Sequence, residues 1–540
     1  MHRLLSLALL TPLALGCAPT GASLPGADVV SDRVQRSVDL GRVSRDAQLD
    51  FVIGLRLRDR EQLHKLVDAR RPGDEGLAPG DFADRFAPSV LAYSRMVAWL
   101  QSNQILVTRT VVGRTTISAR GSAAAIERAF GVELHEYSDG GDTFRAAATA
   151  LHLPYDALDI TVGVAGLSGS QTWRSHLVAP NLNATTPLRP NELQALYGAT
   201  GIANPGMGET VAILGAGFAP DPAKDVDAYM TAFSPFGKTS APGYTQVLLG
   251  GANRDPVGTA NGEYVENCLD AEMVLAMAPL AKVVHVIAAT NTPGLFPDGI
   301  SYIVNSVPEA HAVSVSYGSC ERGVSQEAPV LNTLFEQALA QGQTWFFASG
   351  DTGTDGCRDG SGNQHISAGW PASSPYVIGV GGTMIGSAGT EVTWNENDPT
   401  NGAAAGGGAP SEMFAKPAYQ VGLTPNDAAR DEPDVAAIAG GGGVWVSYRG
   451  QRNAVGGTSA AAPIWAGVWA LVDQGKGGTG IPDALTKIYA VGKTAAFNDI
   501  TKGDNGGPDG ISPGYPATTF YDLATGWGSP NVAQLITRLP

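Results

Sequence analysis

Three short strings in this chain hold side chains able to do covalent chemistry. The first is GGTSAAAP at 456–463, where Ser459 opens a helix expected over 461–472. A hydroxyl at a helix N-terminus lies beside free backbone N–H groups and the positive end of the dipole, which favour developing negative charge. A lone Ser there reads first as an N-cap, and as a nucleophile it needs a base. Beyond residue 180 the histidines are His285, His311 and His365, and His285 falls inside an apolar run, as a core histidine would. The second string, ENCLD at 266–270, offers carboxylates instead. Glu266 and Asp270 stand i and i+4 on a helix expected over 263–278, so they share one face. Val265, Cys268, Leu269, Met273, Val274 and Leu275 make most of that helix apolar, so burial is expected. Two close carboxyls then tend to share a proton. The third string, FFASGDTG at 346–353, ends a strand at Asp351. A carboxyl there can donate to an oxyanion only while protonated; an Asx-turn is the plainer reading of Asp beside Gly.

Apolar runs at 210–214, 282–288, 312–317, 344–348 and 376–380 read as strands, with helices over 263–278 and 329–341 between them. Continuous apolar strands alternating with helices predict a parallel sheet covered on both faces, with functional loops at the strands' C-terminal ends. Upstream, residues 45–167 read as a separate α+β unit. Its expected strands are 51–57, 105–112, 114–119, 132–137 and 158–164, and its helices 59–68, 88–103 and 122–130. No catalytic side chains cluster in it. SGSQ at 168–171 and NLNATTP at 181–187 read as linker.

Of the 540 residues 43% are hydrophobic and 16% charged, a balance that excludes disorder for most of the chain. No apolar run after the N-terminus reaches the roughly 18 residues of a bilayer span. Residues 18–180 carry 18 Lys+Arg and 19 Asp+Glu, whereas 181–540 carry 16 and 32. The second part is therefore strongly acidic and lacks the basic footprint of a nucleic-acid binder; an acidic surface also suits work at low pH. Met1-His2-Arg3 followed by the apolar stretch 4–15 reads as a secretory signal over 1–17. ALGC at 14–17 resembles a lipoprotein box, so lipid anchoring at Cys17 and plain cleavage both stay open. Export permits disulfides. Cys320 and Cys357 each follow the end of an expected strand, and consecutive parallel strands are usually neighbours, so their loops can meet. That predicts a Cys320–Cys357 bridge with Cys268 left reduced.

The three strings together resemble the sedolisin family of serine-carboxyl peptidases: E-x-x-x-D, S-G-D-x-G and G-G-T-S-x-x-x-P match at Glu266/Asp270, Asp351 and Ser459 in the family's order. VSVSYG (313–318), WPASSPYV (370–377), GGT (381–383) and GGG (406–408) add to the match, and the H-G-T-H-like context of subtilisin-type enzymes is missing. The first unit resembles a pro-kumamolisin activation domain through FAPS (86–89), AFG (129–131) and LP (153–154). The resemblance implies an α/β fold. A subtilisin-like parallel-sheet peptidase domain at 188–540 would follow a linker at 171–187 and a small α+β, ferredoxin-like prodomain at 40–170. It implies that Ser459 attacks a peptide carbonyl, Glu266 accepts its proton, Asp270 orients Glu266 and neutral Asp351 stabilises the oxyanion. The product would be a secreted, acid-acting, monomeric peptidase acting on proteins or peptides, made as a self-activating zymogen inhibited by its own prodomain. The family also implies one Ca²⁺, held here by Asp499, Ile500, Thr518, Phe520 and Asp522; Asp504 and Asp509 in the neighbouring Gly-rich loop are alternative ligands. Two departures stand out. The family's first-strand Glu is Ile213 or a neighbour in VAILGAG (211–217), and a Trp before Gly in the family's S-x-W-G string is Tyr317. A catalytically inactive, peptidase-like binding module is the competing reading; a broken Ser or Glu would mark it, and neither is broken.

Overall fold

The computed structural model describes residues 21–24, 32–71, 73–140, 142–169, 173–179, 186–233, 243–254, 262–289, 294–358, 365–398, 402–507 and 513–540. The expected signal segment with Cys17, and parts of the expected linker, lie outside these.

In the first unit the elements run β1 (Gln48–Leu55), α1 (Arg60–Ala69), α2 (Val90–Ser102), β2 (Leu106–Thr110), β3 (Thr116–Ser122), α3 (Ala123–Phe130) and β4 (Thr161–Ala165). Ser89 and Ser122 cap α2 and α3, their hydroxyls accepting from Ala92 N and Ala125 N at 3.2 Å. The strands pair antiparallel in the order β2-β3-β1-β4, a ferredoxin-like sheet. Phe51, Ile53, Leu100, Ile117, Ile126 and Phe130 are buried together in its core. The strand expected over 158–164 is shorter: residues Tyr155–Leu158 form a helical turn first.

The second unit contains β5 (Arg174–Ser175), β6 (Thr210–Ala216), β7 (Tyr244–Leu249), α4 (Gly262–Met277), β8 (Lys282–Ala288), α5 (Leu295–Ser306), β9 (Ala312–Val315) and β10 (Tyr317–Cys320). It continues with α6 (Ala328–Gln341), β11 (Thr344–Ala348), β12 (Ile378–Ile385), β13 (Glu391–Thr393), β14 (Val435–Ile438) and α7 (Thr458–Lys476). Eight strands form one sheet in the order β7-β8-β6-β9-β11-β12-β13, with β14 also on β12; only β13 is antiparallel. Helices cover both faces, which explains the unbroken apolar runs. Val211 and Ile213 of β6 pack with α4 and α7, while Ala212 and Leu214 pack with α5 and α6. The edge strand β7 was not expected, because Thr245 and Gln246 interrupt its apolar run.

Two local features aim the site. The run expected as one strand over 312–317 breaks at Ser316: β9 stays in the main sheet, and β10 turns out to pair with β5. Helix α7 crosses α4 closely at Gly467, where a Cβ would stand 2.8 Å from Met277 Cβ and from Val274 O. That close crossing brings the N-terminal turn of α7 over the carboxylates of α4.

Candidate active site

Glu266 and Asp270 lie on the buried face of α4, both 0% exposed, as their spacing predicts. Ser459, also 0% exposed, is the second residue of α7. Its Oγ donates to Glu266 Oε2 at 3.0 Å, with the Ser316 carbonyl as a second acceptor at 3.3 Å. Proline at 463 shapes this turn. It has no N–H for the carbonyl four residues back, that of Ser459. The Ser316 hydroxyl fills the gap, at 3.1 Å from Ser459 O and 2.5 Å from Asp270 Oδ1. One side chain at the β9–β10 break thus ties α4 to α7.

Burial pushes the Glu266 carboxyl well above its ordinary range, and the neighbouring Asp270 pushes it further. Burial also raises Asp270, against the Ser316 hydrogen bond. Among the described residues Glu266 Oε1, Asp270 Oδ2 and Asp351 Oδ2 are buried without a hydrogen-bond partner. Acceptors left so are costly unless a proton is present to share, which is the state the raised values favour.

Asp351 stands just past the end of β11. Its Oδ1 accepts from Thr458 N at 2.8 Å and Thr458 Oγ1 at 2.7 Å. Burial raises this carboxyl to about 7 despite those two bonds. Asp351 Oδ2 faces Gly457, whose φ of +104° only glycine adopts without strain. A Cβ there would stand 2.8 Å from that oxygen.

The three histidines beyond residue 180 are occupied elsewhere. His285 is fully buried against Tyr244 Oη at 3.1 Å, and burial lowers it to about 3. His311 pairs with Asp473 and His365 with Glu412. So the acceptor poised on the Ser459 hydroxyl is a carboxylate, in place of the imidazole of a neutral serine peptidase.

A cleft of about 620 Å³ opens over this group, lined by Gly318, Gly350, Asp351 and the Cys320–Cys357 disulfide. The bridge is the expected Cys320–Cys357 pair and joins the last residue of β10 to the loop after β11, with Cα atoms 4.4 Å apart; Cys268 is free and buried.

With this geometry in view, comparison with known proteins decides the family. Residues 35–169 match the pro-kumamolisin activation domain, and residues 256–505 match the subtilase family. The chain is 30% identical to sedolisin of Pseudomonas sp. (strain 101), covering 90% of this chain and 86% of the relative.

The chain belongs to the sedolisin family.

It is 30% identical to kumamolisin of Bacillus sp. (strain MN-32) as well, over 93% of this chain and 94% of that one. Human tripeptidyl-peptidase 1 is 26% identical over 93% of each chain. Among solved structures, Pseudomonas sedolisin, a serine-carboxyl proteinase complexed with two molecules of pseudo-iodotyrostatin, superposes with a TM-score of 0.54 at 28% identity. It covers 65% of this chain and 97% of that one. This sedolisin-family chain is accordingly a serine-type peptidase with a subtilisin-like α/β fold and an N-terminal activation domain.

The structure adds residues that sequence reasoning passed over. Ser316 lies in the string at 313–318, where the sequence gives it no role of its own, and Thr458 stands beside Ser459 with no signal that marks it. Ser175 and His176 were read as linker, yet Ser175 Oγ donates to Glu266 Oε2 at 2.5 Å. The family's first-strand Glu has no counterpart at Ile213, which is buried in the apolar core.

The residues expected to hold calcium lie in one C-terminal loop region. The Asp499 carboxylate accepts from Phe520 N at 3.0 Å, and Asp522 Oδ2 accepts from Thr518 N at 2.9 Å. Among the described residues no Lys or Arg pairs with either Asp. Burial raises both, Asp522 to about 6. An exposed Asp499 and a buried Asp522, both bonded to backbone N–H groups of the 518–520 turn and neither ion-paired among the described residues, are oxygen donors that fit a hard cation.

Proposed function

We propose that this chain is an exported, acid-acting serine-carboxyl peptidase that hydrolyses peptide bonds through an acyl-enzyme and is made as a self-activating zymogen. The observation that carries the reading is the 3.0 Å hydrogen bond from Ser459 Oγ to a buried carboxylate, Glu266. Ser459 attacks the scissile carbonyl, and Glu266 takes the proton. Asp270, held by Ser316, keeps Glu266 in place and shares its charge. Protonated Asp351 and Ser459 N donate to the oxyanion; such donors contribute roughly 10²–10³ in rate. Deacylation by water then returns the serine. Calcium held by Asp499 and Asp522, with carbonyls from Ile500, Thr518 and Phe520, would brace the C-terminal loops, and its chemistry stays outside the reaction. The N-terminal apolar segment supports export. Among the described residues no helix is long and apolar enough to cross a membrane.

The test is casein hydrolysis in acid by wild type and Ser459→Ala. The variant should fold and lose at least about 10³ in rate, since the nucleophile itself is gone. Equal hydrolysis by both would end this reading.

A further inference from the structure

Residues 174–178 cross the mouth of the site as an extended chain. β5 pairs antiparallel with β10, Arg174 opposite Gly318 and Ser175 opposite Tyr317. His176 N donates to Ser316 O at 3.1 Å, and Val178 exchanges both backbone hydrogen bonds with Gly456, at 3.1 and 2.9 Å. The backbone is therefore clamped on both sides of one peptide unit. Between the clamps, His176 O accepts from Ser459 N at 3.2 Å. A Cβ on Gly457 would stand 1.9 Å from that carbonyl oxygen and 2.8 Å from Asp351 Oδ2, so both oxygens border the same small volume. The imidazole lies over Gly318, where a Cβ would come within 2.6 Å of its Nε2. Strand addition on either side of a carbonyl set among oxyanion donors is how a peptide is held for cleavage.

We propose that the His176–Leu177 peptide bond is the chain's own first cleavage site, presented to Ser459 in cis. This rests on the reading of Ser459 as nucleophile. Ser459 Oγ bonds to the His176 carbonyl carbon and its proton passes to Glu266. The carbon–nitrogen bond to Leu177 then breaks. The Leu177 nitrogen leaves with the proton from Glu266, and His176 remains as an ester on Ser459. Water, deprotonated by Glu266, displaces Ser459, which recovers its proton. The products are a chain ending in the His176 carboxylate and a peptidase beginning at Leu177; water is the only co-reactant. Before cleavage the same segment restrains the site, because Ser175 Oγ occupies the Glu266 oxygen that Ser459 also uses.

The full chain is shifted from neutral to acid pH, and fragments are followed by N-terminal sequencing and intact mass, beside a casein assay. The expected result is Leu177 as the first new N-terminus, with a rate constant unchanged on dilution and no cut in Ser459→Ala. His176→Pro lacks the N–H that bonds Ser316 O, and its cut at this bond should be about tenfold slower or more. A first Ser459-dependent cut at another bond, with casein still hydrolysed, overturns the site and leaves the peptidase reading standing. An unchanged rate in His176→Pro also overturns it. If neither casein nor the chain itself is cut, both readings fall.

Discussion

At the scale of single residues, Asp351 sets the sharpest pH expectation. It can donate to an oxyanion only while protonated, and burial raises it to about 7. The donor is therefore present below about 7 and lost as pH rises through that value, so the alkaline limb of kcat/KM should fall there. Thr458 opposes the shift, because its N–H and hydroxyl both bond the ionised form. Thr458→Val removes the hydroxyl, should keep Asp351 protonated longer, and should move the limb upward by about one pH unit. Asp351→Asn carries a donor at every pH, so its residual activity should lack that limb. A limb unmoved in a measurably active Asp351→Asn enzyme would assign it instead to the Glu266/Asp270 pair, whose titration belongs to both groups.

Among elements, the loop region from Asn498 to Gly528 holds the expected calcium ligands. Its short strands Phe497–Asn498 and Ser529–Pro530 close it, and the exposed Asp499 and the buried Asp522 both accept from backbone N–H groups of the 518–520 turn. A cation bound only by the folded state adds RT ln(1 + [L]/Kd), about 2.7 kcal/mol at a hundredfold excess over Kd. Chelation should therefore lower the Tm of wild type, and Asp522→Asn should melt alike with and without calcium. A variant that still responds fully to calcium would place the ion elsewhere.

Over the whole molecule, the activation unit sits on α5 and α6 through both apolar contacts, such as Leu63 and Phe86 with Ala340 and Val52 with Val330, and polar ones. Arg60 grips Glu336 through Nε and Nη2, at 3.1 and 2.7 Å, and His64 Nε2 meets Glu336 Oε1 at 2.7 Å. Arg109 and Ser118 hold Asp298, while Thr115 and Thr116 bond Gln337 and Ser301. The hydrogen bond to Glu336 raises His64 above its ordinary value of 6.5, against partial burial. A raised histidine contributes stability that is full below about 6.5 and lost as pH rises through its folded-state value. In a Ser459→Ala background, which keeps the chain whole, His64→Gln should lower Tm at mildly acid pH and leave it unchanged near pH 9. An equal loss at both pH values would mean that His64 acts through packing alone.

The three reactive strings and the sheet were legible because their signals are local. A glycine-bounded serine opening a helix, two carboxyls at i and i+4, and apolar runs buried on both faces each depend on near neighbours in the chain. The bridge between Cys320 and Cys357 followed from strand order. The short edge strand β7 escaped because its two polar residues break the apolar pattern. Contacts between distant segments had no local signature. Ser316 could be seen as part of a motif, but not as the hydroxyl that replaces the hydrogen bond Pro463 cannot make. Ser175 and His176 carry no strand pattern of their own; they are extended because β10 offers them a free edge. The sequence by itself thus determined which groups could react and on which kinds of element they lie. Only the tertiary structure decided that Ser459 meets Glu266, 193 positions away in sequence, and that residues 174–178 occupy the site. Such pairings are set by the packing of α4 against α7 and of β5 against β10.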